Sequence, residues 1–284
     1  MVIGIVGMGV IGASLAKAIK LKTEHKVLGY DKNHDINIKA KILRVVDDTL
    51  AFDNICDCSV VILAVGPTEA LRILKEHSTH FTGCEAVLDL CGVKKVICDE
   101  AFRLAEKAGF TFVGGDPIVE CAKSGFNNSS PSLFDGASLA LTPSFDTPIH
   151  TLDLLKRLFT RVGFGNIEIC TPNEHDRVTA FTLLLSRVIA GAYIKSPSAN
   201  EHYGLSAESY EAISKNAVLD EKLWADLLFA NKDNVEGEID ALIQNLRQYS
   251  DALKANDVEK IKALFADGKK TKEYIDYKND ILNK

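Results

Sequence analysis

The chain opens on the apolar run Val2-Ile3-Gly4-Ile5-Val6, of strand length. It breaks into Gly7-Met8-Gly9-Val10-Ile11-Gly12, after which Ile11, Leu15, Ala18 and Ile19 recur at helical spacing. A second apolar run from His25 to Tyr30 ends on an acid, Asp31. Strand, glycine turn, helix and strand within about 30 residues make a βαβ unit, whose crossover is right-handed in nearly every case.

Three glycines near a turn recur by chance and can shape a βα turn with no ligand. The preceding strand, the following helix and an acid about 20 residues on turn GMGVIG into a dinucleotide signature. Gly7 permits the tight turn, Gly9 lets backbone approach a pyrophosphate, and Gly12 lets the helix pack close to the sheet. The helix start at Val10 and Ile11 offers free N–H groups and a partial positive charge to phosphate. Asp31 is suited to the adenosine ribose hydroxyls and repels a 2′-phosphate, which favours NAD; Lys32 beside it leaves NADP open.

The alternation continues. Lys32 to Val45 suits a helix, Ser59 to Val65 a buried strand, Thr68 to Glu76 a helix, Glu85 to Leu90 a strand and Val93 to Ala108 a helix ended by Gly109. Thr111 to Gly115 and Ser138 to Pro143 read as further strands. Near-continuous apolar strands alternating with helices predict a mostly parallel, Rossmann-type sheet covered on both faces. Beyond Pro148 the pattern is helical except for Gly165 to Cys170, and Arg177 to Ile194 is apolar nearly all round, as expected of a central helix packed on several sides, a second subunit being one candidate cover. The expected organisation is a nucleotide-binding domain over 1–148 and an all-α dimerisation domain over 149–284.

Bulk properties exclude several classes. A net charge of -6 without a basic block argues against nucleic acid as a partner. With no apolar stretch of membrane-spanning length and no basic leader before Val2, a cytoplasmic protein without a membrane partner is expected. The seven cysteines are scattered through apolar segments and read as reduced core thiols; Cys56 and Cys58, one residue apart, fit neither a redox nor a zinc signature, so no metal is expected.

Several segments in order resemble the prephenate and arogenate dehydrogenases of tyrosine biosynthesis. They are GIVGMGVIGASLAKAIK, VLDLCGVKK from Val87, LFDGASLALTP from Leu133, TPNEHDRVTAF from Thr171, AYIKSP from Ala192 and LDEKLWADLLFAN from Leu219. The resemblance implies a homodimer formed through the helical domain, and an active site between the two domains. It also implies oxidative decarboxylation of a cyclohexadienyl substrate with hydride transfer to the nicotinamide. Val65, Cys91 and Gly92 then join Gly7, Gly9, Val10, Ile11, Gly12 and Asp31 as the expected cofactor-binding set.

The chain departs from the family where the chemistry lies. The family's Phe-Val-Gly-Gly-His-Pro, whose histidine takes the substrate hydroxyl proton, reads Phe112-Val113-Gly114-Gly115-Asp116-Pro117 here. Its Ser-His-Leu-Pro-His corresponds to Leu183-Leu184-Leu185-Ser186-Arg187. An arginine that binds substrate carboxylate falls at Lys215, a glutamate falls in the Glu120-Cys121-Ala122 stretch, and a serine of some members falls at Gly92.

An ordinary aspartate is a far weaker base than histidine. A substrate carboxylate about 4 Å from Asp116 would be repelled by roughly 4 kcal/mol at an effective dielectric near 20, about a thousandfold in affinity. Two histidines lost together, one to an acid and one to a base, suggest an Asp116–Arg187 ion pair; alternatively Asp116 binds a substrate ammonium. Asp116, Arg187 and Lys215 are thus the candidate catalytic residues. His175 and Asp176 are expected to fix the start of their helix, a direct catalytic role being the alternative, and Trp224 to be core. Three readings stand: a dehydrogenase of this type, a paralogue that binds dinucleotide and dimerises without turnover, or a dehydrogenase of another small amino or hydroxy acid.

Overall fold

The computed structural model describes residues 1–121, 123–201, 205 and 208–282. The chain divides into two compact units, Met1–Asn234 and Val235–Lys284. The first is built on an eight-stranded sheet in the order β3-β2-β1-β4-β5-β6-β7-β8. β1 (Val2–Val6) lies between β2 (Lys26–Tyr30) and β4 (Val60–Leu63), with β3 (Asp48–Thr49) outside β2, and β5 (Ala86–Asp89) and β6 (Phe112–Ile118) beyond β4. These pairings are parallel; β7 (Ser138–Pro143) runs antiparallel to β6, and β8 (Asn166–Ile169) is parallel to β7. The order reverses beside β1, which makes the carboxyl ends of β1 and β4 the switch point where such sheets bind ligands.

The apolar strands read as unbroken runs because both faces are covered: every residue of β4 and of β5 is buried. One face packs on α1 (Val10–Lys22) and α5 (Ile149–Val162), through Leu15, Ile19, Leu155 and Phe159. The other packs on α3 (Pro67–His77) and α4 (Lys95–Ala108), through Ile73, Leu74, Ile97 and Ala101. α4 ends where Gly109 adopts a left-handed φ of 81°, as its glycine predicts.

Three differences from expectation have physical reasons. The sheet runs on past residue 148, because α5 fills its core and β8 is its last strand. The helix expected over Lys32 to Val45 is α2 (His34–Ile42), and Arg44 at φ 55° turns the chain so that Val45 and Val46 enter the core ahead of β3. The long apolar helix is assembled from α6 (Pro172–Thr179), a π turn (Ala180–Leu184) and α7 (Leu185–Tyr193) rather than being one uninterrupted helix, and in the single chain Val178, Phe181 and Tyr193 are exposed.

The same unit continues through α8 (Glu208–Ser214) and α9 (Glu221–Ala230) into the start of α10 (Lys232–Lys254). The second unit comprises the rest of α10 and α11 (Val258–Leu282), joined by a turn with Asn256 at φ 51° and touching through Tyr249 and Phe265, whose ring centroids are 5.5 Å apart. Among the described residues no helix is long and apolar enough to cross a membrane.

Candidate active site

At the carboxyl end of β1 the glycine turn takes the shape its residues demand. Gly7 has φ +96°, and a Cβ on it would sit 2.4 Å from the Ala64 carbonyl oxygen; on Gly12 it would sit 1.8 Å from that of Gly7. A Cβ on Gly9 would meet nothing within 4 Å, which leaves open space beside the first turn of α1. That turn has neither a side-chain cap nor an acid, so its N–H groups are left for a ligand. Asp31 Oδ2 accepts from the Met8 N–H at 2.9 Å and Oδ1 from the Asn33 N–H at 2.9 Å, which fixes the carboxylate beside the turn.

The residues expected nearer the nicotinamide also meet. Cys91 Sγ donates to the Val65 carbonyl at 2.9 Å, and burial pushes its thiol well above the ordinary range, so the donor stays protonated. A Cβ on Gly66 would lie 3.4 Å from Leu223, and one on Gly92 would lie 3.8 Å from Leu227 and 4.0 Å from Leu183. α9 and the π turn therefore lie against the turns that follow β4 and β5. All seven cysteines are unpaired; Cys58, Cys84, Cys91 and Cys98 are buried as expected of core thiols, whereas Cys56 is exposed.

Asp116 and Pro117 sit inside β6, opposite Ala140 and Leu139 of β7. The two glycines before them permit close packing: a Cβ on Gly114 would lie 2.2 Å from Thr142 Oγ1, and one on Gly115 would lie 2.9 Å from the Asp89 carbonyl. Into this space reaches Lys94, fully buried, whose ammonium pairs with Asp89 and donates to the Gly115 carbonyl at 2.7 Å. Burial alone would lower the lysine, but the Asp89 charge outweighs it and holds the ammonium at about 12.

A second chain of contacts leads to Asp116. Asp176 accepts from the backbone N–H groups of Lys94 at 2.6 Å and Lys95 at 2.9 Å, so it caps α4 from a distant segment. Asn231, just after α9, donates to the Asp176 carbonyl at 2.7 Å. His175 then bridges two acids, with Nδ1 2.8 Å from Asp176 Oδ1 and Nε2 3.0 Å from Asp116 Oδ2. Burial pulls the imidazole down, but the two carboxylates outweigh it and raise it above its ordinary value. Burial pushes Asp116 up, against the pull of His175 and Lys94.

This arrangement corrects two expectations. Asp116 pairs with His175 rather than with Arg187, whose guanidinium lies over Trp224, 4.9 Å from the ring centroid, with a buried Nε that has no partner among the described residues. Trp224 is thus a half-buried platform for a cation as well as a packing residue. His175 and Asp176 do not fix the start of α6; Thr171 and Glu174 do so as a capping box, with Glu174 N–H donating to Thr171 Oγ1 at 3.2 Å and Thr171 N–H to Glu174 Oε2 at 2.9 Å. That box is legible in the sequence and was the signal that the next two residues were free for other partners. Lys215 lies 3.6 Å from Glu120, both largely exposed; Ala122, in the same stretch, is outside the described residues.

A doubly wound sheet with this glycine turn, this acid and a helical extension defines a dinucleotide-binding α/β protein. Residues 15–168 match the prephenate dehydrogenase nucleotide-binding domain, and residues 171–267 the prephenate dehydrogenase dimerization domain. The chain belongs to the prephenate dehydrogenase family. The prephenate dehydrogenase of Bacillus subtilis is 27% identical over 95% of this chain and 74% of its own. The structure of the A. aeolicus prephenate dehydrogenase with hydroxyphenyl propionate and NAD+ is 26% identical, covers 96% of this chain and 98% of its own, and superposes with a TM-score of 0.79. The Synechocystis arogenate dehydrogenase shares the fold, at 22% identity, 97% and 100% coverage and a TM-score of 0.80.

Proposed function

We propose that this chain is an NAD-dependent dehydrogenase that oxidatively decarboxylates a cyclohexadienyl substrate of the prephenate or arogenate kind, acting as a cytoplasmic homodimer. The domain boundary is assigned near residue 170, between the two family matches and at the end of β8. Gly7, Gly9, Val10, Ile11 and Gly12 would hold the pyrophosphate, Asp31 the adenosine ribose, and Val65, Cys91 and Gly92 the nicotinamide side. The open space beside Gly9, the uncapped α1 and the fixed Asp31 carboxylate fit that group. An oxidised nicotinamide, when bound, supplies the hydride acceptor.

The observation that carries the reading is Asp116. It stands where the family keeps its proton acceptor, and its Oδ1 has no partner among the described residues. Burial raises its pKa, which makes it a better base for a substrate hydroxyl than an ordinary aspartate. Arg187, stacked on Trp224, and Lys215, beside Glu120, are the cations assigned to the substrate's carboxylates. The second reading, a binding paralogue without turnover, is favoured by the loss of the histidines at positions 116 and 187.

The test is the absorbance of reduced cofactor with purified protein, NAD, and prephenate or arogenate. Turnover supports the enzyme. NAD binding without turnover, and activity gained on Asp116→His with Arg187→His, supports the paralogue.

A further inference from the structure

His175 has an acid at hydrogen-bond distance from each ring nitrogen. A carboxylate donates nothing and a neutral imidazole donates from one nitrogen only, so both contacts are hydrogen bonds between unlike charges only when the ring carries two protons. The far acid, Asp176, cannot swing away, because the backbone N–H groups that open α4 hold both of its oxygens. The near acid, Asp116, gives Oδ2 to His175, while Oδ1 is unpartnered among the described residues and is not one of the atoms sealed from solvent.

We propose that His175 is a positioning residue, held as an imidazolium between Asp116 and Asp176, that keeps Asp116 Oδ1 free and cancels the charge with which Asp116 would repel an anionic substrate. The proposal rests on the reading above that Asp116 meets such a substrate. An unpaired Asp116 about 4 Å from a carboxylate would weaken binding about a thousandfold. With His175 3.0 Å away the pair is neutral, as a single uncharged histidine would be.

The other charges around it are accounted for. Asp89 of β5 is neutralised by Lys94, and Asp176 of α6 faces the positive end of α4. The Cys91 and Cys170 thiols nearby are raised, Cys91 chiefly and Cys170 first by burial, and stay uncharged.

The test has two arms on the full chain. In the free protein, nitrogen NMR of the imidazoles, assigned through loss of one signal in His175→Gln, should show His175 protonated on both nitrogens at pH 7 and titrating above an ordinary histidine. Asp176→Asn should move that titration down. A neutral single tautomer at pH 7, or no movement in Asp176→Asn, overturns the proposal, and the second variant serves if His175→Gln does not fold.

In the kinetic arm, His175→Gln should raise KM for the anionic substrate by about tenfold or more. It should also remove the alkaline fall of kcat/KM and leave the Kd for NAD within about twofold. Unchanged KM and pH profile overturn it. Absence of turnover in the unmodified protein would count against the functional reading alone, since the NMR arm needs neither substrate nor cofactor.

Discussion

The glycine turn lies at the carboxyl end of β1 and the acid cluster at β5 and β6, farther along the same sheet, and they are built on opposite principles. The turn works through backbone and through what is missing: no side chain on Gly9, no cap on α1. The cluster works through side chains whose partners are supplied by four different segments, β5, β6, the start of α4 and α6. The first can be altered locally, whereas a change in the second leaves a buried charge elsewhere without its partner.

That contrast can be broken by mutation, beginning with the largest effect. Lys94→Met strands Asp89 in a fully buried site and should cost about 3–5 kcal/mol of unfolding free energy, measured by denaturant titration. Gly12→Ala drives a methyl into the Gly7 carbonyl; it should cost about 1–3 kcal/mol and lower NAD affinity with it. Thr171→Ala, which opens the capping box but leaves His175 and Asp176 intact, should cost about 1 kcal/mol. Gly9→Ala enters open space at an ordinary φ and should change stability by less than about 0.5 kcal/mol, while calorimetry shows NAD binding weakened by about tenfold or more. If Gly9→Ala destabilised the fold as much as Lys94→Met, the contrast would be wrong.

A pH series sharpens the same comparison. The folded-state pKa of His175 is raised above 6.5, so the stability its pairing contributes is complete below that value and is lost as pH rises through the raised one. Tm should decline over that window in the unmodified protein, and the decline should be absent in His175→Gln. Gly9→Ala should leave it untouched.

The same contrast governs how much could be read beforehand. The turn is written in consecutive residues, with a change of period and three glycines, so the βαβ unit and its glycine turn were legible from the first 31 residues. β3 was not, because two exposed residues carry no pattern. Nor was the cluster, whose contacts join residues 59 and 82 positions apart. Pairing Asp116 with Arg187 followed from which residues had changed together, but Trp224 gives the guanidinium a ring face and His175 reaches the acid first.

The π turn between α6 and α7 gives the molecule an adjustable phase. One extra residue in a helical turn offsets everything downstream by about 100° relative to an uninterrupted α-helix. Removing a single residue from Ala180–Leu184 would leave His175 and Asp176 at their posts but swing Arg187 away from Trp224. Acid cluster and cation are therefore set by separate dials on one rod, and insertion or deletion of one residue is enough to retune the second without disturbing the first.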